Sequence, residues 1–275
     1  MRSPAMHAPA FDPLALYSPW AWLPHLLALV VGGALIATDG NVAVFLALNH
    51  AGHILGDALW ANLTMFGDGA VALALVLTWI KRAPRCFWAA LIAAVFATLW
   101  VQLIKQVIDV PRPLAVLAPA GFFQSGPAYR AVSFPSGHAA AIFALAGIWV
   151  MSLRGQWLLR ASLLVLAVLV SLSRVMVGVH WPFDIVAGML GGWLSAWIGL
   201  WTAARMQCRT SGPGGLLAGL LLLMVSGALL LSHHVGHPDA LPLQRLLAAV
   251  CVVLGMVELT LLFAPPGLRR APKGE

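Results

Sequence analysis

Apolar residues fill this chain in long unbroken runs, separated by short polar or Gly/Pro breakers instead of alternating with polar positions. A half-buried strand alternates with period two and a surface helix repeats every 3.6 residues. Here whole stretches carry almost no polar side chain. A helix needs about 20 such residues to cross a bilayer, so each run predicts a span. The runs fall at 20–37, 60–80, 86–108, 136–153, 157–177, 183–203, 214–232 and 246–263, eight in all. Residues 41–59 are weaker and mixed, and are read as lying in the membrane interface. The predicted fold is all-α, a polytopic membrane helical bundle.

Composition agrees. Of 275 residues, 61% are hydrophobic and 9% charged, whereas roughly a quarter of a soluble domain is charged. The net charge of +7 suggests nucleic acid only until the positions are read. The basic residues sit in short clusters between apolar runs, as in KRAPR at 81–85, the distribution of juxtamembrane anchors. No soluble face is left to carry a DNA-binding patch, so nucleic acid is not an expected partner. Cys86, Cys208 and Cys251 have neither disulfide nor metal-ligand spacing. The first 20 residues hold four prolines and an aspartate and lack a secretory cleavage pattern, so the first span is expected to be retained.

Charge also sets the orientation. With a cytoplasmic N-terminus, the inner segments hold Arg2, Lys81, Arg82, Arg85, Arg154, Arg160, Arg205, Arg209, Arg269, Arg270 and Lys273. The outer side keeps only Lys105, Arg112, Arg130, Arg174 and Arg245. Every inner segment is basic, as the positive-inside rule requires. The outer cations need another reason, because a charge at membrane depth costs about 2.5–3.5 kcal/mol or more and marks function.

Three outer segments gather them: KQVIDVPRP (105–113), SFPSGH (133–138) and SRVMVGVHWPFD (173–184). Lys105 and Arg112 are about two helical turns apart and share a face if the helix persists that far, although Pro111 and Pro113 favour its end. Asp109, one turn after Lys105, is expected to pair with it. In SFPSGH, Ser133 or Ser136 can cap a helix, Pro135 suits the first turn, and Gly137 lets a ligand approach the backbone. Amides at such a start bind anions. His138 lies just inside that turn, placed to give or take a proton. His180 and Asp184 are four apart, so the carboxylate can reach the imidazole, fix its tautomer and free the other nitrogen to attack. A nucleophilic histidine, its orienting aspartate, a second histidine as acid and a cradle of Lys105, Arg112 and Arg174 compose a phosphoryl-transfer site working through a phosphohistidine. No carboxylate cage for magnesium accompanies it.

In this order and spacing the three segments resemble the signature of the type 2 phosphatidate phosphatase superfamily, which also includes the vanadium haloperoxidases and glucose-6-phosphatase. The resemblance runs from about the second span through the sixth. It implies a six-helix phosphatase core with its site at the outer face and metal-independent hydrolysis without a cofactor. His180 corresponds to the nucleophile, Asp184 to its partner and His138 to the acid that later activates water. Lys105, Arg112, Arg174, Ser136 and the Gly137 amide correspond to the phosphate-binding set. The many spans resemble the membrane lipid phosphatase branch. Expected substrates are undecaprenyl diphosphate, phosphatidylglycerol phosphate, phosphatidate or the phosphates of lipid A. The expected location is a bacterial inner membrane with the site on the periplasmic side. Transfer of phosphate to a lipid acceptor is the alternative. A transporter fits less well, since no internal repeat or mid-membrane charge is seen.

Residues 1–204 are expected to form the core and 205–275 an extension with two further spans. In the extension Glu258 is a carboxylate within a span, on the side opposite the site, for which a packing role is expected. The loop HHVGH (His233, His234 and His237) with Asp239 fits no strong zinc motif. LTMFGDG (63–69) either shapes the site wall or is a plain turn. The loop 114–132, with Phe122, Phe123, Tyr129 and Arg130, either gates lipid entry or is ordinary surface loop.

Overall fold

The computed structural model describes residues 17–153, 155–206 and 209–264. The N-terminal segment up to residue 16 with Arg2, and Arg154, Cys208, Arg269, Arg270 and Lys273, lie outside the described residues. The described chain is helical and has no strand: α1 (Pro19–Ala37), α2 (Asn41–Ile54), α3 (Asp57–Met65), α4 (Gly69–Leu77), α5 (Pro84–Val107), α6 (Pro113–Val116), α7 (Gly137–Ser152), α8 (Trp157–Met176), α9 (Pro182–Arg205), α10 (Pro213–Leu231) and α11 (Leu241–Phe263). Proline begins α1, α5, α9 and α10, where its missing N–H costs nothing and its fixed φ suits the helix.

Six helices (α1, α5, α8, α9, α10 and α11) are long and apolar enough to cross a membrane, and α7 is a shorter apolar helix of 16 residues. The protein is a multi-pass membrane protein. At its centre α7 and α9 are buried along most of their length and pack on each other and on α5. Small residues allow that approach, as membrane helices require without a hydrophobic force between them. A Cβ on Gly192 would lie 2.2 Å from the Ala140 carbonyl oxygen, and one on Gly199 2.3 Å from that of Ala89. Outward faces carry large exposed apolar side chains, such as Val30, Val165, Leu217 and Val253. In water such a surface would aggregate; in lipid it is the solvated face.

One predicted span is corrected. Residues 60–80 are not a single helix, because α3 ends at Met65 and α4 begins at Gly69. The amides of Phe66, Gly67 and Asp68 close α3 onto carbonyls three residues back, and the Asp68 carboxylate then caps α4, accepting from Ala70 and Val71. A side-chain acceptor that satisfies two orphan amides stabilises a helix start, so the apolar run is cut here.

Residues 41–59 fold as α2 and the start of α3. At its N-terminus α2 offers the Asn41 side-chain oxygen Oδ1 to the amide of Phe183, at the start of α9. Toward its C-terminus Gly52 packs on Met176, at the end of α8. Both ends of α2 therefore touch the same end of the bundle, so α2 lies across it, and α3 departs at 110°. At the opposite end Arg82 Nε donates to Glu258 Oε1 at 2.6 Å, tying α11 to the turn after α4.

Candidate active site

Helix alternation brings the C-termini of α5 and α8 and the N-termini of α7 and α9 to one end of the bundle, and the three sequence segments meet there. They do not meet as the spacing predicts. α5 stops at Val107, so Lys105 and Arg112 share no helical face. The chain beyond runs extended beside the approach to α7: Ser133 donates its amide to the Val110 carbonyl (2.6 Å), and Arg112 donates its own to that of Arg130 (3.1 Å). This pairing carries Arg112 inward. Lys105 Nζ donates to the Val132 carbonyl at 3.1 Å. Asp109, past the end of the helix, is exposed and forms no ion pair with Lys105, which corrects that expectation.

SFPSGH starts α7, one step later than Pro135 suggests. Ser136 is the N-cap, its hydroxyl facing the Ala139 amide at 3.4 Å, with Gly137 and His138 in the first turn and Pro135 ahead of the cap. Ser133 does not cap. Its hydroxyl donates to Asp184 Oδ2 and lies 3.3 Å from His180 Nδ1.

The turn between α8 and α9 holds the pair that matters most. Gly178 takes φ +78°, where a Cβ would strike the Phe123 carbonyl oxygen at 2.4 Å, a conformation natural to glycine. The amides of Val179 and His180 fold back onto the Arg174 carbonyl. Asp184, in the first turn of α9, accepts from the Trp181 amide at 2.8 Å and faces His180 Nδ1 at 3.1 Å. A carboxylate at Nδ1 places the ring proton there, so Nε2 is left with its lone pair. That nitrogen lies 3.5 Å from Arg112 Nη1. Burial first, then the charges of Arg112, Arg174 and Lys105, push the His180 imidazole well below its usual 6.5. It is neutral at pH 7, as a nucleophile must be.

The cations are braced by backbone. Arg112 donates from Nε to Ala131 and from Nη1 to Val179 carbonyls, both at 3.0 Å, and its guanidinium lies 4.9 Å from the Tyr129 ring centroid. Burial lowers its pKa while Asp184 opposes the change. Arg174, buried at the end of α8, donates to Thr64 Oγ1 at 2.8 Å, and its Nε has no partner among the described residues. His138 stands opposite, its Cβ packed on Gly67, where a Cβ would be 2.9 Å away. LTMFGDG is thus a turn and also a wall of the site. The long loop is tied down by Asn49, which bonds Phe123 through both its amide nitrogen and its oxygen at 2.8 Å and reaches the Val175 and Met176 carbonyls.

From His138 a cavity of about 310 Å³ descends between α4, α5 and α7. Its walls are Ala72, Ala90, Ala97, Ala141 and Ala144 with Gly69 and Gly137, and the exposed Thr98 lies at its rim. A space that begins at polar groups and ends among alanines suits a molecule with a charged head and an apolar tail.

Every sequence-predicted site residue, namely Lys105, Arg112, Ser136, Gly137, His138, Arg174, His180 and Asp184, lies in this one region. Sequence reasoning assigned Ser133 only as a cap and passed over Thr64 and Asn49. A lone Asn inside an apolar run was the one signal available for Asn49.

Comparison with known proteins gives the same answer. The PAP2 superfamily model matches residues 83–207. The undecaprenyl-diphosphatase of Sulfolobus acidocaldarius is 32% identical over 182 residues, covering 62% of this chain and 86% of that protein. A lipid A 1-phosphatase of Rhizobium johnstonii is 28% identical over 165 residues, covering 53% of this chain and 64% of its own length. Among solved structures, Aquifex aeolicus LpxE superposes with a TM-score of 0.50 at 27% identity, over 58% of this chain and 94% of that one. With eight motif residues gathered at one end of the bundle and a relative matched over most of its length, the chain belongs to the PAP2 superfamily and is a membrane phosphatase of that family.

Proposed function

We propose that the protein hydrolyses a phosphate mono- or diphosphate ester of a membrane lipid through a phosphohistidine on His180. The lone pair of Nε2 attacks phosphorus while the bond from phosphorus to the lipid-side oxygen breaks. His138 gives that oxygen its proton. Water then attacks the phosphohistidine, His138 takes its proton, and the P–N bond breaks to release phosphate. The ring proton stays on Nδ1, hydrogen-bonded to Asp184, throughout. Lys105, Arg112, Arg174, the Ser136 hydroxyl and the Gly137 amide hold the equatorial oxygens, where phosphoryl-transfer charge is spread. The observation that carries this reading is the bare Nε2 of His180, 3.5 Å from Arg112 with Nδ1 held by Asp184.

Residues 1–204 supply this core and 205–275 an extension. The expected setting is the outer, periplasmic face of a bacterial inner membrane, supported by the basic residues Lys81, Arg82, Arg85 and Arg205 at the end opposite the site. The names of the relatives, an undecaprenyl-diphosphatase and lipid A phosphatases, and the alanine-lined cavity support a lipid substrate. The test is phosphate release by the purified protein from undecaprenyl diphosphate, phosphatidylglycerol phosphate, phosphatidate and lipid A. His180→Ala and His138→Ala are expected to abolish release, and ³²P label from substrate is expected on wild type in an acid-labile, base-stable form. Release at wild-type rates by both variants would overturn the reading.

A further inference from the structure

The hairpin of α10 and α11 lies beyond the residues matched by the family model, yet it packs on α3 and α4. That pair of helices meets the motif residues at two points. Thr64, near the end of α3, accepts from Arg174 Nη1, and Gly67, in the turn between the helices, lies on His138. A Cβ on Gly67 would come 2.9 Å from His138 Cβ and 3.2 Å from its Cδ2 and its carbonyl oxygen. The turn is therefore a thin wall with the proposed acid on one side and the extension on the other.

The hairpin holds this wall by packing and by polar contacts. Met65 and Val71 share a buried apolar cluster with Leu229, Ala248 and Cys251 of the hairpin, and Asn62 on α3 donates to the Asp239 carbonyl at 3.3 Å. The turn itself is held by His234. Gln244, buried in α11, braces the loop that carries it: its amide nitrogen donates to the Leu229 and Ser232 carbonyls at 2.7 and 2.8 Å, and its oxygen accepts from the Val235 amide. From this braced loop His234 Nε2 reaches to 3.3 Å from Asp68 Oδ1. Asp68 follows Gly67 and uses the same oxygen to cap α4. A carboxylate only accepts, so the ring proton stands on Nε2, and the contact needs no charge on the imidazole. With the two side chains 47% and 16% exposed, it adds little to stability. Its weight lies in placement, because an acting group misplaced by about 1 Å can lose about 10²-fold in rate.

We propose that His234 is a positioning residue for the general acid: it latches Asp68, so that the Gly67 turn keeps the His138 ring aimed at the leaving oxygen. This rests on the reading of His138 as the proton donor. The test measures kcat/KM of the full-length protein on dodecyl phosphate, whose alkoxide needs a proton to leave, and on 4-nitrophenyl phosphate, whose phenolate does not. The contact of Thr64 with Arg174 acts on the phosphate common to both esters and cancels in their ratio. His234→Ala is expected to lower the dodecyl-to-nitrophenyl ratio about tenfold, a part of the roughly 10²–10⁴ that a general acid contributes. His234→Gln, which keeps an N–H at similar reach, is expected to restore most of it. Gly67→Ala, whose methyl would press on His138, is expected to lower the ratio with His234 intact. A ratio within twofold of wild type in either His234→Ala or Gly67→Ala overturns the proposal, and so does an equal fall on both esters, the mark of a merely structural contact. His138→Ala separates the two failures. If it leaves the ratio unmoved, or if wild type turns over neither ester, the reading of His138 as acid fails and takes the latch with it. A ratio that falls in His138→Ala but not in His234→Ala defeats only the role of His234.

Discussion

Among the described residues two carboxylates are buried, one at each end of the bundle, and they are treated differently. Asp184 Oδ2 accepts from the Trp181 amide and the Ser133 hydroxyl and faces His180 Nδ1. Glu258 has a single partner, Arg82, whose side chain is 69% exposed, and its Oε2 has none among the described residues. A buried ion must be hydrogen-bonded on all sides before its attraction offsets desolvation. The end at Asp184 meets that demand with close donors, so the carboxylate is held and can aim a ring. The end at Glu258 meets half of it with a largely exposed arginine, which serves to tether a helix. Immobility, more than charge, separates the chemical end from the structural one.

The largest effect should come from disturbing the aimed carboxylate. Asp184→Asn keeps the shape but lets an amide nitrogen face Nδ1, favouring the wrong tautomer. Turnover on a lipid phosphate is expected to fall about 10³–10⁴-fold, as when an orienting aspartate is neutralised in a hydrolytic triad, with the melting temperature close to wild type. A loss below tenfold would dissolve the distinction between the two ends. Ser133→Ala is the next step down. It removes one of three contacts to Oδ2 and should cost about tenfold in kcat with little change in KM, while Ser133→Thr, which retains the hydroxyl, recovers the rate.

The pH profile sharpens the same point. Burial and three cations lower the His180 pKa below 6.5, so the neutral nucleophile persists as pH falls through 6.5. The acid limb of kcat/KM, which reports the free enzyme, is therefore expected below pH 6.5, and a limb centred above 6.5 that disappears in a His180 variant would contradict it. The smallest effect belongs to the other end. Glu258→Gln should leave turnover within twofold and shift stability by about 1 kcal/mol or less, since its partner is largely in solvent. A tenfold drop in rate would show that the inner end is coupled to the chemistry.

Much of this could be read from the chain because membrane burial writes itself into long apolar runs, and because the motif residues are expensive charges in a charge-poor sequence. The spans from α5 through α10 lie within a few residues of their predicted places. What stayed hidden depends on distant contacts. The break at Phe66–Asp68 sits inside a run whose average hydropathy is undisturbed, and only Asp68 capping α4 reveals it. Ser133 acts on Asp184, 51 residues away, and Thr64 on Arg174, 110 away; neither leaves a periodic trace. Lys105 and Arg112 converge through an extended pairing with 130–133, not through the helical register their spacing suggested.

The largely apolar cavity beside His138 includes Thr98, which is exposed on α5. A substrate seated there keeps its hydrocarbon in the bilayer while its head is processed, so enzyme and substrate meet by lateral diffusion in two dimensions. Saturation is then governed by the mole fraction of substrate among surrounding lipids, not by its molarity in the tube. Inert lipid added at constant substrate acts as a diluent, and the dephosphorylated product, still anchored in the same leaflet, stays on as a competitor.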